Sequence, residues 1–223
     1  MNITATHLRA FVSLCASGLA CAQTPAPVDL TGNWVSIINE DWRYRMMVPV
    51  KGDYAGVPLN DEGRKVAGQW DRSRDGNCEA YGAAGLLRMP TRLRISWEGD
   101  KVLKIETDAG MQTRRLIFDT TTPSGPRTLQ GHSVAEWQTG GVLKVVTTHL
   151  SGGLLRRNGV AYSENAVLTE YFDRFISSDN TDWFVVTTIV EDPKYLSQSF
   201  ITSTQFRKEA NAEKWRPEAC KNN

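Results

Sequence analysis

The sequence predicts an all-β protein: an eight- to nine-stranded antiparallel up-and-down barrel with one short helix. An open β-sandwich of the same strands is the alternative. Three observations carry this reading. Apolar and polar residues alternate in eight or nine short runs separated by polar or glycine breaks. Nearly all of the runs can pair as sequential antiparallel neighbours, and closing them into a barrel removes exposed sheet edges. The first run opens on Asp29-Leu30-Thr31-Gly32-Asn33-Trp34, where the glycine lets the chain turn in and the tryptophan plugs one end of a barrel.

The first 22 of the 223 residues read as an export signal. Arg9 gives the positive start, Ala10 to Ala20 is apolar but too short to span a bilayer, and Ala20-Cys21-Ala22 offers a cleavage site. A lipoprotein would acylate Cys21, but Gly18 stands where such sites usually carry leucine. The expected product is periplasmic or secreted. Residues 23–28 (QTPAPV) form a proline-marked linker, and residues 29–223 form one domain.

The first strand is expected from about Asn33 to Asn39, followed by a second extended piece over Asp41 to Val50. Asn60 is a suitable N-cap for a helix over Asp61–Asp71, with Asp61 and Glu62 favouring its positive end. Residues 77–90 are rich in glycine and alanine and read as irregular. Arg92–Trp97 and Val102–Thr107 form a hairpin across Glu98-Gly99-Asp100-Lys101. Further strands are predicted at Met111–Asp119, Ser133–Gln138, Val142–His149, Asn165–Ile176, Trp183–Val190 and Phe200–Lys208, and the Pro193 region is a second candidate for helix. Trp183–Val190 is apolar or threonine on both faces, which predicts that a helix or a partner covers the barrel outside.

Charge and cysteine content narrow the function. The formal net charge is +1, and removing the leader with Arg9 brings it to zero. That excludes the strongly basic face that nucleic acid requires and a polybasic membrane patch. No second apolar run long enough to cross a membrane follows the leader. Cys78 and Cys220 survive cleavage, and in an oxidising compartment such a pair bridges or remains as two thiols. A bridge would contribute about 4 kcal/mol by the chain-entropy model.

From Leu154 to Phe206 the chain resembles a group of exported, largely uncharacterised lipocalin-like (calycin-type) barrel proteins of proteobacteria and acidobacteria. The carrying residues are Asn158-Gly159, Ser163-Glu164, Thr169-Glu170 and Thr188-Ile189-Val190-Glu191-Asp192-Pro193-Lys194. The opening at Gly32-Asn33-Trp34, together with Pro58-Leu59 and Glu62-Gly63, extends the likeness over nearly the whole mature chain. The resemblance implies a lipocalin-like barrel in which an arginine of the last strand, here Arg207, packs on Trp34. It implies no particular reaction.

Several side chains are candidates for chemistry. Glu170 shares a strand face with Ala166, Leu168 and Phe172, so it is either a desolvated base or ligand anchor, or a structural carboxylate held by a luminal arginine. His149 ends a strand at a loop mouth and Tyr162 enters the strand of Glu170, which makes the three candidates to line one opening as acids and bases. The run Asp41-Trp42-Arg43-Tyr44-Arg45 mixes aromatics and bases and suits the wall of a site for an anionic aromatic ligand, or is exposed strand decoration. Asp192, before Pro193, is expected to cap the following turn. The mature chain has two histidines, His132 and His149, and no Cys-x-x-Cys, so no metal site is expected. No Gly-x-Ser-x-Gly elbow, phosphate loop or dinucleotide fingerprint occurs, and no cofactor is expected.

The reading that follows is a periplasmic protein that binds a small, largely apolar or aromatic molecule in its lumen without turnover. One alternative is a cofactor-independent isomerase, lyase or cyclase using His149, Tyr162 and Glu170. The other is a structural or interaction protein of the cell envelope. A filled lumen favours the last, and converging ionisable groups favour catalysis.

Overall fold

The computed structural model describes residues 26–71, 73 and 81–219. Residues 1–25, which include the expected export signal and cleavage site, and both Cys78 and Cys220 lie outside the described residues. Nine strands close a barrel: β1 (Gly32–Ile37), β2 (Arg92–Glu98), β3 (Val102–Thr107), β4 (Thr113–Ile117), β5 (His132–Trp137), β6 (Leu143–Thr148), β9 (Val167–Ile176), β10 (Asp182–Glu191) and β11 (Phe200–Glu209). A separate hairpin, β7 (Gly153–Arg156) and β8 (Val160–Tyr162), stands between β6 and β9. Three short helices complete the fold: α1 (Trp42–Met46), α2 (Asp61–Gly68) and α3 (Gly82–Leu86).

The barrel is all-β and closed as expected, but it is not purely antiparallel. β4 and β5 run parallel and share two registered pairs, Leu116↔Ser133 and Ile117↔Val134. Residues 118–131 run back along the barrel between these strands, so β5 starts at the same end as β4. This seam is the thinnest pairing in the wall, since each antiparallel neighbour registers over four residues or more.

Four further expectations need correction. Residues 42–46 are helical rather than extended, because Asp41 turns left-handed (φ 51) and its carbonyl accepts from Tyr44 N and Arg45 N. Part of the irregular glycine-alanine stretch is α3, whose small residues let a helix sit wholly buried. Tyr162 does not enter the strand of Glu170 but ends the separate hairpin. The Pro193 region forms a turn, closed by Leu196 N on Asp192 O at 2.9 Å, rather than a helix. The helix after Asn60 does form, with Asn60 Oδ1 accepting from Gly63 N at 2.9 Å.

Two cores stack along the barrel axis. At the end where β1 begins, Trp34, Leu93, Ile105, Leu143, Phe172, Phe184 and Phe206 fill the lumen. Trp34 meets Phe184 edge-on at 4.7 Å, and Phe184 stacks on Phe206 at 4.8 Å. At the other end Leu168, Val190 and Phe200 of the rim join Leu59, Ala83, Ala84, Leu155, Val160 and Tyr162 in a second core. There α3 packs on β7 and α2 on β8, so the mouth is capped.

The expected Arg207–Trp34 contact is off by one residue. Trp34 registers with Lys208, whose ammonium lies 5.2 Å from the indole, while Arg207 is opposite Val35. Side chains alternate faces along a strand, so Arg207 points outward, 6.0 Å from the Trp183 ring. On the outer surface no described element is packed over β10. Registered outward residues Ile201, Ile189, Thr169, Val146 and Val134 form a continuous band across five strands.

Candidate functional site

Between the two cores the lumen carries a polar belt. Arg114 (β4) and Glu170 (β9) are both fully buried and form a bidentate pair, Nη1 donating to Oε1 at 3.0 Å and Nη2 to Oε2. Arg114 Nη2 also donates to Thr147 Oγ1 at 2.8 Å and Nε to Ser133 Oγ at 3.3 Å, and the two hydroxyls bond each other at 2.8 Å. This network joins β4, β5, β6 and β9, spanning the parallel seam. Glu170 is therefore an ion-paired structural carboxylate, both of whose oxygens accept from Arg114. Of the two readings for this residue, the geometry supports the luminal arginine.

On the other side of the belt, Thr188 lies opposite Glu170 and Thr202 opposite Thr188, with Thr204 one pleat below, all facing the lumen. The hydroxyls of Thr202 and Thr204 are buried without a hydrogen-bond partner. Tyr162 comes down from the cap. Its hydroxyl abuts Gly82 of α3 and also lacks a partner of hydrogen-bond geometry. Burial drives its ionisation far above the ordinary tyrosine range, against the opposing pull of the Arg114 charge and the Ala84 amide. A phenol so placed stays neutral and can donate or accept one hydrogen bond.

His149 does not join this group. It follows the outward-facing Thr148, whose hydroxyl lies 2.9 Å from its Nδ1, and its ring meets His132 edge-on at 6.3 Å on the outer rim. The structure thus places Glu170 in the belt and Tyr162 in the cap, with its hydroxyl against α3, and leaves His149 outside both.

The other candidate residues sit on α1 beside the capped mouth. Trp42 is 58% exposed, and Arg43 pairs with Asp53 at 2.7 Å at the surface. Tyr44 turns inward, donating to Asp53 Oδ1 at 3.3 Å and carrying the Arg156 guanidinium 3.9 Å above its ring. Around it stand three buried arginines. Arg45 donates to Arg88 O at 2.8 Å and pairs with Glu40 at 3.3 Å. Arg88 pairs with Asp41 at 2.8 Å, and Arg156 donates to Ala55 O at 2.6 Å. Arg88 and Arg156 both lie over Phe200, at 5.7 and 5.9 Å. Burial, with the like charge of Arg88, lowers the Arg45 guanidinium to about 10, although Glu40 and Asp41 oppose this.

The sequence singles out Arg45 within the run from Asp41, but not Arg88, Arg156 or Arg114. A signal was available for two of them. Arg88 directly follows Leu86-Leu87, and Arg156, the first of the pair Arg156-Arg157, directly follows Leu154-Leu155. A charge in an apolar run is either a surface break or a buried, partnered group.

Several of the residues behind the expected resemblance, Asn158, Ser163, Asp192, Lys194, Leu59 and Gly63, lie in the cap. Asn158 Nδ2 donates to Val50 O and Asp53 O at 3.1 and 2.8 Å. Asp192 accepts from Ser163 N, Ser163 Oγ and Lys194 N at 2.6, 2.8 and 3.1 Å, capping its turn as expected. Leu59 bridges Leu196, and Gly63 lies so close to Tyr195 O that a side chain there would collide.

Among the described residues, no three His, Cys, Asp or Glu side chains gather as a metal-holding group, and no helix is long and apolar enough to cross a membrane. A hollow of ≈ 550 Å³ lies outside the barrel beside β1, between Ile37, Met46, Pro90 and Arg216. No family model matches the chain, and no curated protein matches it.

Proposed function

We propose that this is an exported, lipocalin-like small-molecule-binding protein that holds its ligand, without turnover, in the polar upper half of the lumen. The observation that carries the reading is the pair of buried luminal hydroxyls without partners, Thr202 and Thr204. Leaving such a group unpaired costs about 1–3 kcal/mol, so a fold keeps two of them side by side where something else supplies the bond. The lower lumen is filled by its own aromatic side chains, which moves the ligand from a wholly apolar setting to one with hydrogen-bonding groups. Glu170 neutralised by Arg114, and His149 on the outer rim, argue against acid–base turnover. Export by the 1–22 signal, periplasmic or secreted location and a Cys78–Cys220 bridge belong to the same proposal.

Native mass spectrometry of protein purified from its own periplasm tests this reading. The expected spectrum shows a retained small molecule that is lost from the Thr202→Val/Thr204→Val variant while the fold persists. Equal retention by the variant, or no retained mass, overturns it.

A second reading, an envelope interaction protein, is favoured by the uncovered outer band from Ile201 to Val134. Light scattering of the purified protein with and without Ile189→Lys separates the two. A change in assembly state on this substitution supports the interaction reading.

A further inference from the structure

The arginine cluster at the capped mouth is short of negative charge. Glu40, Asp41 and Asp53 face Arg43, Arg45, Arg88 and Arg156, so one guanidinium is uncompensated. The shortage is local as well as arithmetic. Arg45 Nη2 and Arg156 Nε are buried donors with no partner, in side chains 5% and 3% exposed. Arg45 Nε donates to Arg88 O at 2.8 Å, and Arg88 and Arg156 both lie over the Phe200 ring, so the three arginines, two of which carry the unmet donors, gather at one mouth.

We propose that this cluster binds a small organic monoanion of the carboxylate class. The inference rests on the small-molecule reading above and names the chemistry of the ligand's charged end. One carboxylate carries the single negative charge that the cluster lacks. Its two oxygens match two unmet donors, one each from Arg45 and Arg156, and guanidinium–carboxylate bonds are among the strongest a protein makes. The side chain of Asp41, which pairs with Arg88, is 36% exposed, so the edge of the cluster meets solvent there. The Tyr44 and Phe200 rings beside Arg156 give the ligand's carbon body a flat apolar neighbour. Phe200 faces the lumen two residues before Thr202, so the charged end at the mouth and the unpaired hydroxyls below lie along one strand face.

The test titrates the exported protein with sodium acetate and sodium benzoate at constant ionic strength against sodium chloride and inorganic phosphate, by calorimetry. Saturable carboxylate binding is expected, benzoate tighter than acetate, with affinity weakened tenfold or more in Arg45→Met and in Arg156→Met. Each variant loses one like charge from a crowded cluster and is expected to stay folded by circular dichroism. Should either unfold, Arg156→Lys is measured instead, with the same loss expected because its point charge cannot replace Nε. The proposal is overturned if carboxylates bind no better than chloride, if phosphate binds as tightly as benzoate, or if the arginine variants keep full affinity. Carboxylate binding that survives while Thr202→Val/Thr204→Val retains the native ligand sinks the luminal reading and leaves this site standing.

Discussion

Arg114 and Glu170 meet across the lumen at the height of the parallel β4–β5 seam, and their ion pair does there what backbone hydrogen bonds do elsewhere in the wall. The pair is fully buried, so removing one partner leaves an uncompensated charge in a poorly solvated site. Glu170→Gln or Arg114→Met is expected to cost about 3–5 kcal/mol in urea unfolding. The double replacement Arg114→Met/Glu170→Leu removes both charges and is expected to recover most of that loss. Additive single effects would show that the two residues act separately.

Trp34 and its neighbours give a prediction about strand faces. Trp34→Ala empties the filled end of the lumen and is expected to cost about 3–5 kcal/mol. Lys208→Ala removes a cation from the indole face and is expected to cost about 0.5–1 kcal/mol. Arg207→Ala, on the outer face, is expected to change stability by less than about 0.5 kcal/mol. Thermal unfolding of the three variants ranks them, and a larger loss from Arg207 than from Lys208 would contradict the register.

Gly82 is held where no other residue fits. Its φ is +48, and an added Cβ would collide with the Tyr162 hydroxyl and lie 2.7 Å from Leu129 O. Gly82→Ala is therefore expected to destabilise by about 1–3 kcal/mol. Adding Tyr162→Phe removes the nearer obstacle but not the carbonyl, so only partial recovery is expected by chemical denaturation.

Asp182 gives the pH dependence its sign. Burial pushes its carboxyl up, but the paired bonds from Arg174 at 2.7 and 2.6 Å, with the charges of Arg174 and Lys208, hold it below its ordinary value near 3.8. A carboxyl lowered on folding stabilises fully above its unfolded value, and loses that effect as pH falls through the folded one. At neutral pH Asp182→Asn is expected to cost about 0.5–1 kcal/mol, as suits a partly exposed pair. The gap between the wild type and the variant should close below pH about 4. A gap that widens with acid would reverse the assignment.

Much of the fold was legible in the sequence because a strand writes its burial into every second residue. The hairpin of β2 and β3 and the three long strands β9, β10 and β11 follow from alternation and turn chemistry alone. Alternation gives no direction, so the parallel β4–β5 pair was invisible. Extended and helical readings compete over a five-residue stretch such as Trp42–Met46, and the left-handed turn at Asp41 decided it. The belt was half legible: Glu170 stood out among apolar neighbours, but its partner Arg114 lies 56 positions away.

The sequence by itself determined a closed β architecture, a tryptophan at one end and a carboxylate inside, since each is set by local pattern and burial. Only the tertiary structure decided that Lys208 rather than Arg207 covers Trp34, that Arg114 neutralises Glu170, and that Arg45, Arg88 and Arg156 converge at the capped mouth. Those are matters of register and of which distant strands become neighbours. A one-residue shift in either turns a side chain from the lumen to the solvent.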